Sequence, residues 1–170
     1  INNALEKDIN LAIARQLKLF LESSDVEVIL TRDGDSGLYG SGDKNKKMAD
    51  MKARCEIIEE DSPDVVISIH QNSFPQEEVN GAQVFYYKDS EKGRELAETI
   101  QAGFGEMPQQ YKKREAKAND SYYLLLNVTP PIVIVECGFL SNHSEAAMLS
   151  DEEYQEDVAW TIHMSLMEYL

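Results

Sequence analysis

Cysteine is nearly absent: Cys55 and Cys137 are the only two, and they lie far apart in the sequence. Neither belongs to a Cys-x-x-Cys pair, so a thiolate zinc site is disfavoured, and both are expected to be ordinary buried thiols. Basic residues are scarce as well, 16 Lys and Arg against 31 Asp and Glu, for a formal net charge of −15. A nucleic-acid partner needs a basic face for its phosphates, so that class is set aside, whereas an uncharged or amphoteric polymer is not. No apolar run approaches the ~20 residues of a membrane span. No glycine-rich phosphate loop follows a strand, which disfavours nucleotide binding. Gly-x-Ser-x-Gly is missing from every strand–helix turn, and Gly40-Ser41-Gly42 lies in a polar loop, which disfavours a serine hydrolase. The chain opens at Ile1 with neither methionine nor a signal peptide, and an upstream segment is expected.

What is present suits one domain with a real hydrophobic core. Residues 4–23 carry apolar side chains at helical period and predict an amphipathic helix. Val26 to Arg32 alternates and is rich in β-branched residues, which predicts a strand. Asp33 to Asp43 is polar and turn-rich, a loop and the best candidate for a mobile flap. Met48 to Glu59 reads as a helix closed off before Pro63. A strand ending at His70, a polar loop from Gln71 to Asn80 and a strand over 81–87 follow. Ser90 to Phe104 predicts a helix with Ser90 as its N-cap. Lys112 to Lys117 is the only dense basic patch, Tyr122 to Leu126 reads as a short strand, and Pro130-Pro131 precedes the strand ending at Glu136. Asp151 to Leu170 predicts a final amphipathic helix. The alternation implies a single three-layer α/β domain, with helices flanking a twisted, mostly parallel or mixed sheet.

Two apolar runs stop at an ionisable residue. Val65-Val66-Ile67-Ser68-Ile69 ends at His70, and Ile132-Val133-Ile134-Val135 ends at Glu136. Such runs read as central strands covered on both faces, and ligands gather outside the carboxyl ends of strands in open α/β sheets. His70 is then either a metal ligand or a hydrogen-bonded structural histidine. Glu136 is costly to bury unless it is paired, with Arg114 or Lys117 as partners, or its charge is used. Glu6 lies in the first turn of a helix, where the dipole favours an acid, and it is either a capping acid or a further ligand. His143 and His163 are expected to be structural or solvent-facing. The chemistry left standing is an oxygen/nitrogen metal site, with His70 and Glu6 as ligands and Glu136 beside it. Catalytic zinc ordinarily takes three protein ligands and water, and these residues supply two.

Four blocks carry a resemblance. They are Glu6-Lys7-Asp8-Ile9-Asn10-Leu11-Ala12-Ile13, Leu30-Thr31-Arg32 followed by Asp33, Val66-Ile67-Ser68-Ile69-His70-Gln71-Asn72, and Ile134-Val135-Glu136-Cys137-Gly138-Phe139-Leu140-Ser141-Asn142. In order and spacing they resemble the zinc-dependent N-acetylmuramoyl-L-alanine amidases of the type-3 class. Asn119 to Leu125, Lys113 to Lys117 and Ala159 to His163 are similar to the sporulation branch, which acts on spore-cortex peptidoglycan.

The resemblance implies an amidase catalytic domain over 1–170, N-terminally incomplete, that cleaves the bond between N-acetylmuramic acid and L-alanine of the stem peptide. It implies one zinc ion, Zn2+, held by Glu6, His70 and a histidine of an Asp-x-Gly-His-Gly motif. That motif, and the opening strand that carries it, are expected upstream of Ile1. Glu136 matches the catalytic glutamate. Peptidoglycan is the implied substrate and a regulatory protein a further partner. The implied location is the cell envelope or the forespore intermembrane space. Arg114 and Lys117 either solvate a loop or face the stem peptide's carboxylates. Two other readings stay open, a peptidoglycan-binding or partner-dependent protein inactive as isolated, and a zinc exopeptidase on a similar scaffold.

Overall fold

The computed structural model describes residues 4–109 and 112–170. Helix α1 (Glu6–Ser23) buries Ile9, Ile13, Leu17 and Leu21, one stripe at i, i+4 spacing. Leu19, off that stripe, is 63% exposed. Helix α2 (Lys46–Asp61) starts where the Asn45 side chain accepts from the Met48 amide. It ends at Ser62, whose φ of 46° is left-handed, immediately before Pro63. A proline disfavours helical backbone at the residue before it, so the helix stops there.

Strands β1 (Val66–Asn72), β2 (Gln83–Tyr87), β3 (Lys117–Asn119) and β4 (Ile132–Phe139) form one sheet in the order β1-β4-β2-β3. β1 is parallel to β4, β2 is antiparallel to β4, and β3 is parallel to β2, so the sheet is mixed. β4 is central and every one of its residues is buried. Its alternation feeds two cores. Val133, Val135 and Cys137 face the larger one, with α1, α3 (Glu91–Glu106) and α6 (Glu152–Tyr169). Ile132 and Ile134 face the smaller one, built from Ile58 of α2 and Leu124 and Leu125 of α4 (Tyr123–Asn127). A further helix, α5 (His143–Leu149), follows β4 and is capped by the Asn142 side chain.

The three-layer α/β expectation holds, and several local expectations change. Val26 to Arg32 is not a strand, because none of its backbone joins the sheet. Lys18 Nζ instead donates to the Val28 carbonyl, at 2.8 Å. Between this segment and β1 lies an apolar cleft of about 480 Å³ lined by Val26, Val28, Leu30, Val65, Ile67 and Ile69. β1 is therefore an edge strand of mostly half-buried residues rather than a central one. Tyr122 to Leu126 is not a strand either. Asn119 Oδ1 accepts from the amides of Ser121 and Tyr122, which turns the chain into α4, and the strand is Lys117–Asn119 just before it. Both strands of interest also outrun their apolar runs, β1 to Asn72 and β4 to Phe139. His70 and Glu136 thus lie inside strands, where the ladder continues past them.

The core assignment makes a direct prediction. Phe104 is 1% exposed, so Phe104→Ala is expected to cost about 3–5 kcal/mol in urea unfolding at unchanged m-value. Leu19→Ala is expected to stay within about 0.5 kcal/mol.

Candidate active site

Parallel pairing places Ser68 beside Ile134 and His70 beside Glu136. Alternation then puts the side chains of Ser68, His70 and Glu136 on the same sheet face as Ile132 and Ile134, toward α4. Beyond His70 the register shifts at an irregularity before Asn72.

Glu6 arrives from the first turn of α1. Its Oε1 lies 3.1 Å from His70 Nδ1 and accepts from the Gln71 amide at 3.2 Å and from Asn10 Nδ2 at 3.3 Å. The His70 bond, helped by the Gln71 amide and Asn10, holds the Glu6 carboxyl below the usual carboxylate range despite partial burial. Glu6 therefore ties α1 to β1, which a capping acid would not do. The far side of the imidazole is fixed too, with Nε2 3.1 Å from Ser68 Oγ.

Glu136 is 7% exposed. The Tyr122 hydroxyl, 3.4 Å away, donates to Oε1, and Oε2 is buried with no hydrogen-bond partner among the described residues. Burial pushes the Glu136 carboxyl above its usual range, and the charge of Glu6 adds to it against the opposing pull of His70 and Tyr122. Among the described residues no ion pair relieves it. Arg114 donates from Nε and Nη2 to the Asn80 carbonyl and lies over the Phe139 ring at 5.2 Å, and Lys117 is exposed. The paired-charge reading of Glu136 with Arg114 or Lys117 therefore fails.

The end of β4 is clamped by Glu145. Its Oε2 accepts from the Phe139 amide at 2.8 Å and its Oε1 from the Gly81 amide at 2.9 Å. Gly81 has φ +95°, and a Cβ there would come within 2.7 Å of the Lys112 carbonyl oxygen, so only glycine fits. His143 is exposed beside Glu77, and His163 is buried with Nε2 3.0 Å from Ser24 Oγ, both away from this cluster. Cys137 is fully buried and Cys55 half-buried, both free.

The donor set fits a zinc ion as far as it goes. A carboxylate oxygen and an imidazole nitrogen 3.1 Å apart approach the spacing of about 3.3 Å implied by tetrahedral bonds of ~2.0–2.1 Å. Ser68 can accept from Nε2–H, which frees the Nδ1 lone pair and is the usual support for a ligating histidine. Among the described residues no group of three or more His, Cys, Asp or Glu side chains converges, so this pair is incomplete by itself. Reading the sequence missed Tyr122, Ser68, Gln71, Asn10 and Glu145. Only Asn10, one helical turn after Glu6, and Ser68, two residues before His70 on the same strand face, carried a positional signal.

The raised carboxyl of Glu136 sets a pH dependence. A carboxyl held above its ordinary range binds its proton more tightly folded than unfolded, so it subtracts stability as pH rises through and beyond that range. In metal-free protein, Glu136→Gln is expected to gain in Tm relative to the parent between about pH 4 and pH 7. A constant difference across that window would show that burial does not perturb the group.

Comparison with known proteins identifies the family. The profile of the N-acetylmuramoyl-L-alanine amidase family Amidase_3 matches residues 1–168. The germination-specific N-acetylmuramoyl-L-alanine amidase of Bacillus subtilis (strain 168) is 35% identical over 170 residues, 97% of this chain and 70% of that protein. LytC of the same organism is 29% identical over 99% of this chain, which spans 32% of LytC. Among solved structures, the CwlD amidase from Clostridioides difficile, in complex with the GerS lipoprotein, superposes with a TM-score of 0.94 at 42% identity, covering 98% of this chain and 87% of that one. The catalytic domain of CwlV from Bacillus (Paenibacillus) polymyxa var. colistinus gives 0.84 at 28% identity, covering 98% and 86%. With the fold and a profile matched along nearly its whole length in agreement, the chain belongs to the N-acetylmuramoyl-L-alanine amidase family.

Proposed function

We propose that this amidase is zinc-dependent and acts on spore-cortex peptidoglycan, where removal of the stem peptide leads to muramic lactam. The observation that carries the reading is the contact between Glu6 and His70, two zinc-type donors on separate elements, beside a buried carboxylate with a free oxygen. The cortex assignment is supported by the similarity to the germination-specific amidase and to CwlD. Action outside the cytoplasm follows from the cell-wall substrate, with the forespore intermembrane space as the finer assignment. A regulatory partner belongs to the same proposal, since the CwlD structure is a complex with a lipoprotein.

Glu6 Oε1 and His70 Nδ1 are the atoms assigned to the metal, and the family resemblance calls for a histidine as the third ligand. Zinc bound there would polarise the lactyl carbonyl and lower the pKa of water. Ser68 holds the His70 ring through Nε2, and Asn10 and the Gln71 amide hold Glu6, so the two side chains are fixed in place and only the proton between Glu6 Oε1 and His70 Nδ1 must give way to the metal. Glu136 takes the proton of the attacking water and passes one to the departing alanine nitrogen. Its raised proton affinity suits both halves of that exchange.

Full-length protein with added zinc, assayed on purified peptidoglycan with and without a partner lipoprotein, tests the proposal. Glu136→Ala is expected to cut stem-peptide release by ~10²–10⁴ while the circular dichroism spectrum is unchanged. Full retention of turnover would overturn the role. His70→Ala is expected to lower the zinc bound per chain in metal analysis, and unchanged zinc content would remove His70 from the ligand set.

A further inference from the structure

Two oxygens of one carboxylate stand in different surroundings. Oε1 of Glu136 faces the Tyr122 hydroxyl at 3.4 Å, and Oε2 is buried with no partner among the described residues. The phenol is not free to wander. Asn119 Oδ1 accepts from the Tyr122 amide at 2.9 Å and so fixes the backbone just before α4. The ring meets Phe85 edge-on, with centroids 5.4 Å apart and planes at 65°. Phe85 in turn pairs in register with Ile134, two residues before Glu136 on the same face of β4. Sheet, turn and aromatic contact together fix where the hydroxyl points. A half-buried tyrosine needs a partner for its O–H, and Glu136 supplies it.

We propose that Tyr122 is a positioning residue for Glu136: its hydroxyl holds Oε1 and so fixes the orientation of the carboxylate that exchanges protons with the substrate. The inference rests on the general-base role assigned above. A carboxylate held at one oxygen cannot rotate, so its orientation toward the neighbouring His70 is fixed. The oriented carboxylate takes the proton as the water oxygen bonds to the carbonyl carbon. It returns the proton to the alanine nitrogen as the C–N bond breaks, and Glu136 ends ionised as it began. Burial and the neighbouring carboxylate push the Tyr122 phenol upward, so the hydroxyl keeps the hydrogen it donates. The 3.4 Å separation is long, as catalytic hydrogen bonds are before substrate closes a site.

Tyr122→Phe removes one oxygen and keeps the ring, so the Phe85 contact survives. The first readout needs no metal and no activity. In metal-free full-length protein, Tyr122→Phe is expected to lower Tm by about 2–4 °C. In a Glu136→Leu background the same change is expected to shift Tm by less than about 1 °C. Equal shifts in the two backgrounds would show that the hydroxyl does not act through Glu136 and would overturn the proposal. The second readout uses zinc-loaded enzyme on peptidoglycan fragments. There kcat is expected to fall about tenfold, with KM within about twofold and zinc content unchanged. Unchanged kcat in an active parent background would also overturn the positioning role. A parent protein inactive even with the partner lipoprotein present would contradict the amidase reading and leave the thermal comparison to decide the Tyr122 contact.

Discussion

Parallel pairing of β1 with β4 sets His70 beside Glu136, and the rest of the site hangs on that register. A slip of one residue would turn every side chain of β1 to the opposite face, sending His70 toward the larger core and Ile69 toward the cluster. The apolar sets guard against it. Val66 lies with the smaller core and Ile67 and Ile69 with the larger one, so only one register keeps both filled. Glu6 reads the same register from outside, since it bonds both the His70 ring and the Gln71 amide. The helix that delivers it is held by an apolar stripe packed on α6, so the α1–sheet packing and the site geometry are one constraint.

The cost of the arrangement is concentrated on β4. A strand with every residue buried carries a carboxylate whose second oxygen has no partner among the described residues, and folding alone gives no reason to keep it. The fold surrounds it with rigid supports instead. Glu145 fastens the end of β4 and the entry to β2 by accepting from the Phe139 and Gly81 amides. Gly138 lets this happen, because a Cβ there would come within 3.1 Å of Leu149 and 3.3 Å of the Glu145 carboxyl carbon. Arg114, the obvious counter-charge by sequence, is spent on the Asn80 carbonyl and the Phe139 ring. The carboxylate is thereby left unneutralised on a fixed frame, the condition for a group that must move a proton.

Much of this was legible in the sequence where a residue's surroundings are set by its own element. The helical stripe of α1, the cap of α3 at Ser90 and the apolar alternation of β4 are local patterns, and the structure keeps them. His70 and Glu136 were legible because an ionisable residue interrupting an apolar pattern is conspicuous, whereas Glu6, an acid in the first turn of a helix, was singled out as a ligand by the family resemblance. Errors came where long-range pairing decides. Val26 to Arg32 has the composition of a strand, yet a strand exists only with a partner, and its neighbour across the cleft is out of reach. Tyr122 to Leu126 looked extended, but the Asn119 side chain turns the backbone into α4. The Tyr122–Glu136 contact was invisible for the same reason: it joins a turn to a strand across the smaller core.

The central claim is that Glu6 and His70 hold the metal and Glu136 moves the proton for one specific bond. It is tested most directly by incubating zinc-loaded full-length protein with purified peptidoglycan and identifying the new amino termini. The account predicts new L-alanine amino termini appearing in step with released stem peptides, and their loss when the metal is chelated. New termini at any other residue, or L-alanine release undiminished by chelation, would contradict it.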